Sequence, residues 1–214
     1  MFESKAGILF IAGIGFFAFA FLSNAAVPIV MYRDLPEKTV EEVVNDKVMI
    51  QFTELDRRYP ESFREAFGEP SKEACADALR LGRQVYVGEG CWHCHSQFVR
   101  PVSNDSKRFG AVSETWEYQN ALQRPVMFGT RRVGPDLSRE GGRRASDWHA
   151  VHFYHPKTVS PDSPMPAYPW LFDGDPSKPN KRGIALITYI QWLGSWHPTY
   201  PYYEELDELA AESL

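Results

Sequence analysis

The amino-terminal part of the chain contains 27 consecutive residues, Ala6 to Tyr32, without one charged side chain. This segment restricts the fold more than any other, because a helix needs roughly 20 apolar residues to cross the hydrocarbon layer of a bilayer. We therefore predict a transmembrane anchor over residues 1–32. The charges around it do not decide its orientation, since Lys5 precedes the span and Arg33 and Lys38 follow it.

A cleaved signal peptide is the alternative for this segment, because "SNAA" (residues 23–26) resembles a small-residue cleavage site. The apolar run is too long for the hydrophobic region of a signal peptide. The starting residues "MFESK" are also not the positively charged start that such a peptide has. Both observations favour the anchor.

The composition of the 214 residues allows one packed domain with additional segments. The formal net charge of −5 argues against nucleic acid as a partner, because phosphate binding needs clustered Lys and Arg. Three cysteines are too few for a disulfide framework. Two of them, Cys91 and Cys94, belong to one motif, and we expect the remaining Cys75 to be a plain thiol.

After the anchor we expect three regions, the second of which contains a long insert. Residues 33–80 are charged and contain three prolines, which predicts a partly helical tether. Residues 81–200 are predicted to form a small helical domain, with helices near "LGRQVYVGEG" and "RGIALITYIQWLGSW" around a centre rich in Gly and Pro. Residues 96–133 form a long insert in that domain, and residues 201–214 are an acidic tail. The predicted fold class is mainly α.

The stretch "CWHCH", Cys91 to His95, admits three chemistries. A zinc site needs four ligands, usually as two separated pairs, so a second pair would have to come from His149, His152 and His155. A thiol redox pair needs C-x-x-C within a βαβ pattern, and none is visible. The third chemistry is covalent haem attachment, for which C-x-x-C-H is the signature.

In the haem interpretation, Cys91 and Cys94 form thioether bonds and His95 is the proximal iron ligand. Met165 is the favoured sixth ligand, since prolines on both sides stiffen its loop. Met127 is the rival, and a bis-His site through one of the downstream histidines is a further alternative. The carbonyl of Pro135 can bond the free nitrogen of His95 and orient its ring, as metal-bound histidines generally require.

These motifs carry a resemblance to a known family. The helix with Gly82 and Tyr86, "CWHCH", "GPDL", "MPAY" and "LITYIQWLG" together resemble a class I cytochrome c domain. More specifically, "GEGCWHCHSQFVRP", "RVGPDLSREGGRRASDWHAVHF" and "SPMPAY" are similar to the mono-haem subunit (subunit II) of the cbb(3)-type cytochrome c oxidases. The resemblance covers the anchor and roughly residues 82–196, and the tether matches it least.

The resemblance implies one covalent haem c and a role in electron relay. Such a subunit takes electrons from a cytochrome c donor, either a di-haem sister subunit or a soluble protein. It passes them to the haem b of the catalytic subunit of a haem–copper oxidase. It reduces no oxygen itself, and its cytochrome domain lies in the periplasm, anchored in the bacterial inner membrane.

Within this resemblance the insert is expected to be a docking face on the catalytic subunit. It contains Trp116, Tyr118 and Phe128, and the arginines Arg100, Arg108, Arg124, Arg131 and Arg132. Aromatic residues and arginine are enriched at interfaces. Arg100 and Arg108 are in addition candidates for pairing with the haem propionates.

Three other functions stay open at this point. One is the mono-haem subunit of a related nitric oxide reductase, which would differ in its large subunit rather than in this chain. Another is a free-standing, membrane-anchored electron shuttle, which would be purified alone. The last is a zinc-binding interaction module, which a c-type haem spectrum would exclude.

Overall fold

The computed structural model describes residues 4–197. The chain divides into two compact units, residues 1–37 and residues 38–214. The described part is mainly helical and contains no β-strand, which confirms the fold class predicted from the sequence. The acidic tail of residues 201–214 and the end of the predicted 81–200 domain lie outside the described residues.

The first unit is an uninterrupted helical segment, Lys5–Tyr32, in which no residue is buried. It consists of α1 (Lys5–Phe21), a π-helical turn (Leu22–Ala26) and α2 (Val27–Tyr32). In the wide turn, the Ser23 hydroxyl and the Asn24 amide donate to backbone carbonyls one turn earlier, so their polar groups are bonded within the helix. The segment is long and apolar enough to cross a membrane.

The second unit contains the remaining helices of the described chain. They are α3 (Val40–Val43), α4 (Asp46–Arg58), α5 (Pro60–Phe67), α6 (Lys72–Gly88), α7 (Cys91–Cys94), α8 (Asp105–Phe109), α9 (Ser146–Tyr154) and α10 (Lys181–Trp192), with 3-10 turns at Thr115–Tyr118, Pro156–Thr158 and Pro169–Leu171. The most extensive helix pair is α6 with α10.

The crossing of α6 and α10 depends on Gly82. A Cβ atom at this position would lie 2.1 Å from the Ala185 carbonyl oxygen and 2.6 Å from Tyr189 Cβ. The rings of Tyr86 and Tyr189 pack one turn further along, with centroids 5.5 Å apart. The absence of a side chain at Gly82 thus brings the two backbones close enough for these aromatic residues to be buried.

Residues 38–67 belong to the second unit, which differs from the predicted tether over 33–80. Phe52 of α4 and Phe63 of α5 are completely buried, with ring centroids 4.7 Å apart. The Trp192 indole N–H donates to the Val43 carbonyl at 3.1 Å. The segment is rich in charge, yet each helix buries one apolar stripe against α6 or α10, and this burial makes it part of the core.

The first helix of the predicted 81–200 domain also begins earlier than expected. Ser71 accepts a hydrogen bond from the Ala74 N–H at 3.1 Å, and this cap starts α6 at Lys72. Cys75, in the first turn of α6, is completely buried, and burial raises the pKa of its thiol to about 12. It is therefore a protonated core thiol at neutral pH.

Replacing Gly82 by alanine should destabilise the second unit, because the added methyl group collides with the α10 backbone. We expect the free energy of unfolding to fall by about 1–3 kcal/mol or more, the usual range for overpacking. Denaturant unfolding of the full chain in detergent, followed by circular dichroism, measures this. Gly88→Ala is the matched control, since no atom lies within 4 Å of its Cβ position. Equal stability of the two variants would contradict the close crossing.

Phe63→Ala tests whether residues 38–67 are part of the core. Removing this buried ring should cost about 3–5 kcal/mol of unfolding free energy. The comparison is Ile50→Ala, which removes an apolar side chain that is 39% exposed and should cost far less. If both substitutions leave thermal unfolding unchanged, the segment is a tether after all.

Candidate functional site

The turn with the CWHCH motif begins at Gly90, which has a left-handed backbone with φ 73° and ψ 18°. This conformation is easily adopted by glycine and lets α7 start directly after α6. Cys91 and Cys94 lie three positions apart, so they occupy the same side of one helical turn. Both are free and half-buried. The turn therefore presents two thiols next to each other.

His95 follows this turn, and its ring is held at one nitrogen. The Pro135 carbonyl oxygen lies 2.9 Å from Nδ1, and because a carbonyl can only accept, Nδ1 carries the proton. The Tyr86 hydroxyl donates to the His95 carbonyl at 2.8 Å. Burial lowers the pKa of His95, which keeps the ring neutral at pH 7. Its lone pair is then on Nε2, where a metal ion can bind.

Gly134 provides the room that the His95 ring occupies. A Cβ atom at Gly134 would lie 2.2 Å from Cε1 and 2.6 Å from both ring nitrogens. The Gly134 N–H also donates to the Cys94 carbonyl at 3.1 Å. The ring is thus positioned by the bare backbone of one residue and by the carbonyl of the next.

The segment before Gly134 runs along the same turn. The N–H groups of Thr130 and Arg131 both donate to the His93 carbonyl, at 3.0 and 3.2 Å. The His93 ring is exposed, and its Nδ1 lies 2.9 Å from the Thr130 hydroxyl. His93 therefore points to the surface, while His95 is directed inward.

Asp136 connects the segment after His95 with the one after Pro135. It accepts from the Ser96 hydroxyl at 2.6 Å, from the Phe98 N–H at 2.9 Å and from the Ser138 N–H at 2.9 Å. The Arg132 guanidinium donates to the Ser96 hydroxyl at 2.6 Å and to the Phe98 carbonyl at 2.8 Å. These charge-assisted bonds fix the Pro135 carbonyl relative to the CWHCH turn.

A buried ion pair attaches the insert to the residues that follow it. The guanidinium of Arg139 donates twice to the Glu117 carboxylate, at 2.6 and 2.8 Å, and both side chains are almost fully buried. The Trp196 indole N–H donates to the same carboxylate at 2.8 Å. Because the charges are paired and bonded, their burial is tolerated, and the insert is attached to the end of the described chain.

Met165 lies half-buried against the core. Its N–H donates to the Ser163 hydroxyl at 3.2 Å, and the Tyr168 N–H donates to the Phe153 carbonyl in α9 at 2.8 Å. Burial, with a smaller effect of Cys91, raises the pKa of Tyr168 to about 12. The Met165 loop is thus attached to α9. Met127 is buried in the same core cluster, and its carbonyl accepts from the Gln97 N–H at 2.7 Å.

Comparison with known families matches residues 72–182 to the family described as "Cytochrome C oxidase, mono-heme subunit/FixO". The match covers more than half of the 214 residues and includes both the CWHCH turn and the Met165 loop. The chain belongs to this mono-haem FixO family. This confirms the recognition made from the sequence motifs. No curated protein matches the chain.

The residues of this FixO chain fit the haem that the family contains. Two free thiols lie beside an imidazole whose Nε2 is available, which is the donor set of a c-type site. On α9, His149 Nε2 and His152 Nδ1 are buried without a hydrogen-bond partner in the described structure. His152 is near enough for His95 to contribute to lowering its pKa, after burial, to about 4.

The zinc site and the thiol redox pair, the two alternatives to haem attachment, are less well supported by the site. Among residues 4–197 no three His, Cys, Asp or Glu side chains converge as a metal site needs, so His149, His152 and His155 do not complete a zinc site with the motif. Burial raises the pKa of the Cys91 thiol to about 12. A catalytic redox thiol has a lowered pKa instead.

The arginines of the insert have two different environments. Arg124 is exposed and donates to the Tyr118 carbonyl at 2.9 Å, whereas Arg132 is 13% exposed and pairs with Asp105, so it holds the insert together from inside. Tyr118 is also buried. Arg100 and Arg108 are exposed: Arg100 lies 3.4 Å from the Phe128 carbonyl, and Arg108 stacks on Phe109 at 4.7 Å.

Sequence reasoning missed the residues that hold the ligands in place. The sequence motifs indicate Pro135 without assigning a role to the adjacent Gly134, and they do not identify Asp136 and Arg132 as partners of Ser96. The signal was present in part, because Gly134 and Asp136 flank Pro135 directly. The contact of Tyr168 with α9 has no local signature, since it joins positions separated in sequence.

Gly134→Ala should displace the His95 ring, because the new methyl group would occupy the position of the imidazole. We expect the variant to lose the low-spin haem spectrum in the purified full-length protein, or to contain less haem per chain. Absorption spectra with haem quantification measure both. Val133→Ala is the control, since this neighbouring side chain is 55% exposed. A normal spectrum for Gly134→Ala would show that the ring position does not matter.

Proposed function

We propose that this chain is the electron-transfer subunit of a membrane respiratory terminal oxidase. One haem c would be held covalently by Cys91 and Cys94, and His95 and Met165 would bind its iron. When bound, this group carries a single electron by alternating between ferrous and ferric iron. The observation that carries the proposal is the His95 ring, bonded at Nδ1 to the Pro135 carbonyl and placed beside two free thiols.

The chain's own residues would hold the site rigid. Pro135 keeps the proton on His95 Nδ1 and directs Nε2 to the iron. Asp136 and Arg132 hold the Pro135 segment against Ser96. A site whose ligands keep their positions in both redox states needs little rearrangement for each electron transferred, which suits a relay.

Met165 would supply the soft thioether that favours ferrous iron and raises the reduction potential. Pro164 and Pro166 restrict the backbone on both sides of it. The bond from the Tyr168 N–H to Phe153 attaches this loop to α9. Both features support Met165 over Met127, whose segment is bonded to Gln97 in the core.

The proposed location is the bacterial inner membrane, with the cytochrome unit in the periplasm. The helical segment Lys5–Tyr32 is the anchor, and covalent haem attachment takes place on the outer side of that membrane in the family. The proposed partners are the catalytic subunit of the haem–copper oxidase and a cytochrome c donor, either a di-haem subunit or a soluble protein. The family's name supports a place in such a complex.

Purification from native membranes tests the proposal as a whole. We expect the chain to co-purify with b-type haem, to give a c-type pyridine haemochrome spectrum, and to keep its pigment in acid acetone. Pigment that is extracted freely would rule out the covalent attachment. A chain that is purified alone with its haem would instead be a free shuttle.

Met165→His tests the sixth ligand. A second imidazole in place of the thioether should lower the midpoint potential and abolish the near-infrared band of methionine bound to ferric iron. Redox titration and near-infrared absorption of the purified complex measure these two quantities. Met127→Leu, a core substitution of similar volume, should change neither. Loss of the band in Met127→Leu alone would transfer the assignment to Met127.

A further inference from the structure

The surface beside the CWHCH turn has a composition unlike that of the whole chain. Four exposed cations lie in two neighbouring segments, with three exposed apolar side chains among them. We name these seven residues the cationic face: Arg100, Val102, Lys107, Arg108, Phe128, Arg131 and Val133. The chain as a whole has a net charge of −5, so this face differs in sign from the rest of the protein.

Hydrogen bonds make the two segments one continuous surface. Arg100 Nη2 lies 3.4 Å from the Phe128 carbonyl, and the Arg100 N–H donates to Asp105 at 3.1 Å. Asp105 in turn pairs with Arg132 at 2.5 Å. Since Arg132 pairs with the buried Asp105, that carboxylate does not offset the positive charge of the exposed cations. The face also adjoins the turn, because the Arg131 N–H donates to the His93 carbonyl.

The backbone is strained at one residue beside the cationic face, Arg132. Arg132 has a positive φ of 49°, which residues with side chains adopt at some cost. The result is that Arg132 points inward to its ion pairs, while Arg131 stays exposed. Such strain tends to persist where a local conformation has a function. Here it directs one of two adjacent arginines to the solvent beside the haem-binding turn.

We propose that the cationic face is the docking surface for a transient redox partner that presents carboxylates around a small apolar centre. This inference rests on the proposed function and adds the chemistry of the electron donor. Charge complementarity of this kind accelerates encounter and orients the partner. A permanent subunit contact would be larger and more apolar than four cations around Val102, Phe128 and Val133, as obligate interfaces are.

Two small oxidants of opposite charge test the charge at the site of electron transfer. Each removes one electron from the ferrous haem of the purified complex: hexacyanoferrate(III) is an anion, and tris(1,10-phenanthroline)cobalt(III) is a cation. The measured quantity is the rate constant for hexacyanoferrate(III) divided by that for the cobalt complex, obtained by stopped flow at about 0.15 M ionic strength. Arg131→Glu and Lys107→Glu should each lower this ratio several-fold, because the anion loses its attraction and the cation gains one.

Lys72→Glu is the matched control, since it changes the net charge equally. Lys72 is exposed at the start of α6, roughly 24 Å along the helix from Gly88 at 1.5 Å per residue. This exceeds the Debye length of about 8 Å at physiological salt, so its ratio should equal that of the wild type. If Arg131→Glu and Lys107→Glu leave the ratio of the two oxidation rate constants unchanged, the proposal is overturned. A general loss of electron-transfer activity lowers both rate constants equally and so does not change their ratio.

Chemical footprinting tests whether the face is free for a transient partner. In the resting complex, phenylglyoxal should modify Arg131 about as fast as Arg57, an exposed arginine of α4. Soluble poly-L-glutamate should protect Arg131 and not Arg57. Protection of Arg131 without that polymer, by a permanent subunit or by anionic lipid vesicles, would overturn the proposal. A complex without c-type haem would instead refute the proposed function itself.

Discussion

The rest of the site depends on the position of one imidazole ring, that of His95. His95 is bonded at Nδ1 to the Pro135 carbonyl, and its ring occupies the space that a side chain at Gly134 would fill. The contact joins residues forty positions apart, so it exists only because the intervening chain is folded back onto the CWHCH turn. The proposed electron relay needs Nε2 to face the iron, and this arrangement leaves the ring no other orientation.

Two buried ion networks keep that arrangement in place. One joins Arg132, Asp105 and Asp136 around Ser96, and the other joins Arg139 to Glu117. A buried ion pair adds little net stability, because desolvation offsets the attraction. What the pairs provide here is a defined geometry for a long insert that contains few regular elements. Because Arg132 is paired in the interior, the adjacent Arg131 is left exposed at the surface beside the CWHCH turn.

Local signals in the sequence were sufficient for the long apolar helix, the helical character and the family. The CWHCH motif also pointed to His95, and the GPDL segment pointed to Pro135. The packing of residues 38–67 was not predictable from composition, because the many charges of α4 obscure the stripe of Val48, Phe52 and Leu55. The different environments of Arg131 and Arg132 depend on one backbone dihedral angle. No residue preference signals that angle, since glycine is absent from the position.

The pairing of α6 with α10 has a consequence for how the protein forms. Gly82 and Ala185 meet across the helix crossing although their numbers differ by 103. Contacts between such distant positions form late, because a long loop has to close first. The motif lies between them, next to the end of α6, and its buried surroundings cannot be completed until the last helix arrives. Until the core closes, the two thiols are therefore still accessible, as the proposed covalent attachment of a haem requires.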